Sequence, residues 1–125
     1  MTGIEYSESD EFRRDLKKLL RKFRSLVDDL DTVKKAVIEL YHLIGIDNAS
    51  VFRIPGYGTE AVQVYKIKKF ASRSLKGRGN RSGIRVIYAF HSNDNRVEFL
   101  EIYYKGDKTD EDGRRIKEYL KEHAE

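Results

Sequence analysis

The stretch GIRVIYAFHSNDNRVEFLEIYY, residues 83–104, reads as two strands around a tight turn. Ile84 to His91 is dense in β-branched and aromatic residues, Ser92-Asn93-Asp94-Asn95 supplies turn formers, and Arg96 to Tyr104 resumes the extended pattern. Within the first strand Val86, Tyr88 and Phe90 alternate with Arg85, Ile87 and Ala89, so both faces carry apolar groups. One face is expected to lie on helices and the other to stay partly open. Just upstream, Ala61 to Phe70 has the same period of two, and Ser72 to Gly83, with three glycines, reads as the intervening loop. The expectation is an antiparallel meander of three strands.

Moving outward, the period lengthens. Phe12, Leu16, Leu19, Leu20, Phe23, Leu26, Val27 and Leu30 recur at three and four residues with basic residues between them, which predicts one long amphipathic helix behind a cap at Ser7 or Ser9. Asp31 or Thr32 then caps a second helix carrying Val33, Val37, Leu40, Tyr41 and Ile44, stopped by Gly45. Ile4 and Tyr6 suggest a short strand before the first helix, and Gly45 to Thr59, with Pro55-Gly56-Tyr57-Gly58, reads as a connector with turns. A last helix is predicted from Thr109 or Asp110 to about His123, with Ile116, Tyr119 and Leu120 inward. The fold class is α+β: an N-terminal helical hairpin packed on a small antiparallel sheet, then a C-terminal helix, all in one domain over residues 1–125.

Charge is distributed unevenly. Residues 1–52 carry net −1, residues 53–96 net +8 and residues 97–125 net −3, out of a total of +4. Between Tyr65 and Tyr88 there are eight Lys or Arg and no acid. Such a one-sided field attracts a polyanion, RNA or DNA, or an acidic protein. Cysteine is absent, so disulfides and thiolate metal sites are excluded, and His42, His91 and His123 have no metal-ligand spacing. With no long apolar run, the chain is expected to be soluble and cytoplasmic, with no membrane partner.

Strand alternation sets Lys66 and Lys68 on one face. Arg85 is the only charged residue in its strand, and burying it is costly unless it faces water, pairs with Glu98 or Glu101, or meets an anion. Lys105 and Lys108 follow Tyr103-Tyr104 at the strand end. These five cations and a tyrosine are expected to converge on one groove, where a phosphate relieves their mutual repulsion.

The ordered set KGRGNRSGIRVIYAF and EIYYKGDKTDED resembles the RelE/ParE superfamily of type II toxin-antitoxin toxins, most of all its RelE/HigB-like branch. In that branch a Gly/basic loop precedes an R-V-I-Y strand, and the next strand ends in a tyrosine followed by K-x-x-K-x-D. The resemblance covers roughly residues 62–112. It implies a ribosome-dependent mRNA endoribonuclease, a hydrolase-like mRNA interferase, which needs no metal or other cofactor and is neutralised by a cognate antitoxin. By position it assigns catalysis to Lys68, Arg85, Tyr104, Lys105 and Lys108, with Tyr103 as the alternative tyrosine. Contacts to mRNA on the ribosome fall to Lys66, Lys69, Arg73, Lys76, Arg78 and Arg81. A lysine of lowered pKa is the implied proton carrier. The chain departs from that pattern at the strand end, which offers lysines in place of a second arginine, and in the length of its Gly45–Thr59 connector. The alternatives are a RelE-fold binding module without activity that pairs with an antitoxin-like protein, and a ParE-like gyrase inhibitor.

Overall fold

The computed structural model describes residues 3–47, 49–75, 77–79 and 81–123, and residues 83–104 form the centre of a five-stranded sheet within it. The strands are β1 (Glu5–Glu8), β2 (Val51–Gly58), β3 (Val62–Ile67), β4 (Ile84–His91) and β5 (Arg96–Tyr104), in the order β1-β5-β4-β3-β2. The meander β3-β4-β5 is antiparallel as expected, with Lys66 opposite Ile87 and Arg85 opposite Tyr103.

Two strands enlarge it. β1 lies parallel to β5, Glu5 beside Arg96, which makes the sheet mixed. The expected connector between Gly45 and Thr59 contains β2, antiparallel to β3. Its Pro55 hid it from a propensity reading; a proline has no N–H for a ladder, and β2 is an edge strand where none is needed. The register shifts between Arg53 and Gly58, and a Cβ on Gly58 would sit 2.4 Å from the Val62 carbonyl oxygen, so only glycine fits this bend.

The helical boundaries also differ from expectation. α1 (Asp10–Leu20) is capped by Ser9, whose Oγ accepts from the Phe12 N–H at 3.1 Å, but it ends at Leu20. After a turn, α2 (Leu26–Val33) passes through Asp31 and Thr32 without interruption into a π-helical extension (Lys34–Ile44). The predicted break is therefore displaced from 31–32 to 21–25. The apolar spacing concealed it, because Phe23 in the turn and Leu26 after it both reach the core. Ser25 fixes the turn from outside: its N–H donates to Ser74 Oγ at 2.9 Å, and the Ser74 N–H donates back to Ser25 Oγ at 2.8 Å. Gly45, at φ +82°, ends the extension as anticipated.

α3 (Gly113–His123) begins after Asp112, not at Thr109 or Asp110, and Asp112 Oδ1 accepts from the Arg115 N–H at 3.2 Å. It covers one end of the sheet face bearing Ile87 and Ala89, where Ile116 and Tyr119 close a second core over Val62, Val64 and Leu100. The opposite face packs Tyr65, Ile67, Val86, Tyr88 and Phe99 against Phe12, Leu26, Leu30, Val33 and Ile38. The expectation of a partly open second face holds only at its Arg85 end, where Arg85 is half-buried and Lys68 exposed. Among the described residues no helix is long and apolar enough to cross a membrane.

Candidate nucleic-acid interface

The site is shaped by a bulge. Ile87 pairs with Glu101 and Tyr88 with Phe99, so Leu100 is the extra residue of β5, and Leu100 and Glu101 both serve the second face. Glu101 is thereby buried, 2% exposed, beneath the segment that leads from β5 to α3. Its Oε1 accepts from the Asp112 N–H at 2.8 Å, and its Oε2 lies 2.5 Å from Lys108 Nζ. One carboxylate thus pins both ends of residues 108–112.

Beside this clamp, Lys66 Nζ pairs with Glu111 at 2.5 Å. Burial alone would lower the Lys66 pKa, but Glu111 and the nearby Tyr103 hydroxyl more than reverse it, leaving it above the ordinary lysine value. Glu111 is held below the ordinary carboxylate value, because the Lys66 ammonium outweighs the upward push of burial. The Tyr103 ring carries Lys108 Nζ at 5.2 Å and Lys66 Nζ at 6.0 Å from its centroid. Its hydroxyl is buried without a well-formed hydrogen bond, and burial raises its pKa despite Lys66. At neutral pH that hydroxyl is protonated.

Arg85 lies at the open edge of this cluster. Its Nη1 donates to the Lys68 carbonyl at 2.8 Å. It forms no ion pair with any described residue, and neither Glu98 nor Glu101 takes it: Glu101 holds Lys108, while Glu98 lies 3.8 Å from Arg96. The Lys68 ammonium rests over Phe52, 4.7 Å from the ring centroid.

Of the sequence-predicted residues, Lys66, Lys68, Arg85 and Lys108 come together on the second face, joined there by Tyr103. Tyr104 points to the other face, packed on Phe23 at 5.0 Å with Lys22 over its ring. Lys105 is exposed at the strand end, with its N–H on the Gly83 carbonyl. In the loop, Arg73 is tied to α2 through Asp28 at 2.9 Å and Asp29 at 3.7 Å, whereas Lys69, Arg78 and Arg81 are exposed. Lys76 lies outside the described residues. Sequence reasoning did not find the two pairings of Glu101 and Glu111. Their signal was present only as two of five acids between residues 101 and 112, and the bulge that aims Glu101 inward leaves no mark in the alternation. Among the described residues no group of three or more His, Cys, Asp or Glu is placed to hold a metal.

A chain of the crystal structure of the archaeal RelE-RelB complex from Pyrococcus horikoshii OT3 shares this architecture, with a TM-score of 0.51 over 85% of this chain and 98% of that one. The fold is RelE-like. The two sequences are 16% identical, so the likeness is one of architecture. No protein-family model and no curated protein sequence matches the chain. Among the described residues, the cluster around Arg85 lies on the part of the second face beyond the Ile116 and Tyr119 contacts of α3.

Proposed function

We propose that the chain is the toxin of a toxin-antitoxin pair, acting in the cytoplasm as a ribosome-dependent mRNA endoribonuclease and neutralised by a cognate antitoxin protein. The RelE-like fold supports the toxin and its partner, since the relative of known structure is a RelE-RelB complex. The observation that carries the cleavage reading is Arg85, a guanidinium on a sheet face with no carboxylate partner among the described residues, beside Lys68 and opposite Tyr103 in the sheet.

In this reading the ribose 2′-oxygen attacks the adjacent phosphorus and the bond from phosphorus to the 5′-oxygen breaks. Arg85 makes a planar two-point contact with the charged phosphorane, which grows stronger as charge develops. The departing 5′-oxygen takes its proton from water and the 2′-proton passes to water, while Tyr103, its hydroxyl buried and protonated at neutral pH, positions Lys66 and Lys108 with its ring. Tyr103 replaces Tyr104 in this role because only Tyr103 shares a face with Arg85. Lys66 stays charged and is no proton acceptor.

Arg85→Ala tests the reading directly. Expressed in bacteria, the parent is expected to arrest growth and generate discrete new 5′ ends in translated messages. The variant is expected to lose both by about 100-fold or more while keeping its thermal midpoint. Equal cutting by the two proteins would remove Arg85 from the mechanism. A second reading, a binding module without activity, is favoured by the pairing of Lys66 and Lys108 with Glu111 and Glu101. Growth unaffected by the parent in several hosts would select it.

A further inference from the structure

Resting on the reading that this face receives RNA, we propose that the Glu111 carboxylate stands where an RNA phosphate belongs beside Lys66, an internal competitor that an incoming strand displaces.

The geometry supports exchange more than simple opening. Lys66 is 13% exposed at its side chain and pairs with Glu111 alone among the described residues. Withdrawing Glu111 with no replacement would leave a desolvated ammonium uncompensated, so Glu111 leaves only as another anion arrives. A phosphodiester suits this exchange because it presents two anionic oxygens, as a carboxylate does, and because Arg85 and Lys68 stand at the adjacent edge to hold it on arrival. The backbone at Glu111 stays in place throughout: Lys108 on one side and the Asp112 N–H on the other are both held by Glu101. The side chain, 21% exposed, therefore swings out by rotamer change without loss of the segment.

The test measures binding, with cleavage removed. The full chain is titrated against a single-stranded 2′-deoxy oligonucleotide, which has no attacking 2′-oxygen, at one fixed salt concentration with anisotropy as the readout. The proteins are the parent, Glu111→Gln, Lys66→Met, the double variant, and Glu60→Gln as an exposed carboxylate that supplies the same change in net charge. Glu111→Gln is expected to tighten binding by about fivefold or more, Glu60→Gln by less than about twofold, and the gain is expected to vanish in the Lys66→Met background. If Glu111→Gln is unfolded by circular dichroism, Glu111→Asp, one methylene short of Lys66, replaces it with the same expectation. A gain no larger than that of Glu60→Gln, or one that survives Lys66→Met, overturns the inference while single-strand binding by the parent stands. No binding by parent or variant overturns both.

Discussion

Removing the Glu101 carboxylate leaves the Asp112 N–H and the Lys108 ammonium without their acceptor, one of them under the sheet's covering segment. An unpaired buried donor costs more than the bond itself contributed, because its hydration is lost without return. Glu101→Ala is therefore expected to destabilise the chain by about 3 kcal/mol in urea unfolding, with amide exchange quickening first over residues 105–112. A change below about 1 kcal/mol would show that residues 105–112 are held by something other than this carboxylate. Arg85 is the converse case. It is half-buried and its charge meets no carboxylate among the described residues, so its replacement is expected to cost little stability. Both contrasts are half-visible in the sequence: it presents Arg85 as isolated in its strand, but only the bulge at Leu100 decides that Glu101 turns to Lys108 instead.

Among the elements, the π-helical extension of α2 docks through His42. Its ring stacks on Phe90 at 3.9 Å, and its Nε2 is hydrogen-bonded to the Tyr88 hydroxyl at 2.8 Å. Burial lowers its pKa from 6.5 to about 4. The folded state therefore holds fewer protons than the unfolded chain between those values, and stability falls as pH drops from 6.5 to 4, with nothing further from this group below. A full conversion at about 1.4 kcal/mol per pKa unit overstates the effect for a ring still partly reached by solvent, so the loss is about 1–2 kcal/mol. His42→Gln is expected to flatten unfolding free energy across that window. A residual slope of the same sign remains from His91, whose pKa is also lowered by burial and by Arg96. An unchanged slope would place the titration elsewhere. The elements themselves are unevenly legible. β4 and β5 can be read to the residue because alternation and turn chemistry agree, whereas β2 is lost to Pro55 and the 21–25 turn to uninterrupted apolar spacing.

Across the whole molecule, the second face has two electrical ends. Around Arg85 cations gather, while the far end runs into a cleft of about 440 Å³ between α1 and α3, where Glu8, Asp10, Glu11, Glu98, Glu118 and Glu122 outnumber Arg13 and Arg115. A polyanion is drawn to one end and repelled from the other, which fixes its direction of approach. The loop before β4 adds two exposed cations, Arg78 and Arg81. Replacing both by Gln is expected to shallow the dependence of log K on log salt by about 0.7 for each phosphate that is no longer neutralised. Arg73→Gln is expected to alter that slope little and to weaken the fold instead, since Asp28 and Asp29 already hold it. Equal slopes in all these proteins would return the loop to ordinary solvated surface. The net +8 of residues 53–96 is legible in the sequence; the internal acids that divide it are not, because pairing across the sheet depends on register.

The parallel pairing of β1 with β5 joins Glu5 to Arg96 and Glu8 to Phe99. Nothing nearer in the chain offers β1 this partner, so a strand made early waits for one made some ninety residues later before the sheet is complete. Closing so long a loop is slow and late compared with forming the helices. A chain that stalls or breaks before residue 96 is left without β5, and therefore without Tyr103, Glu101 and the segment they hold. Birth order thus withholds the completed cluster around Arg85 from any unfinished copy of the chain.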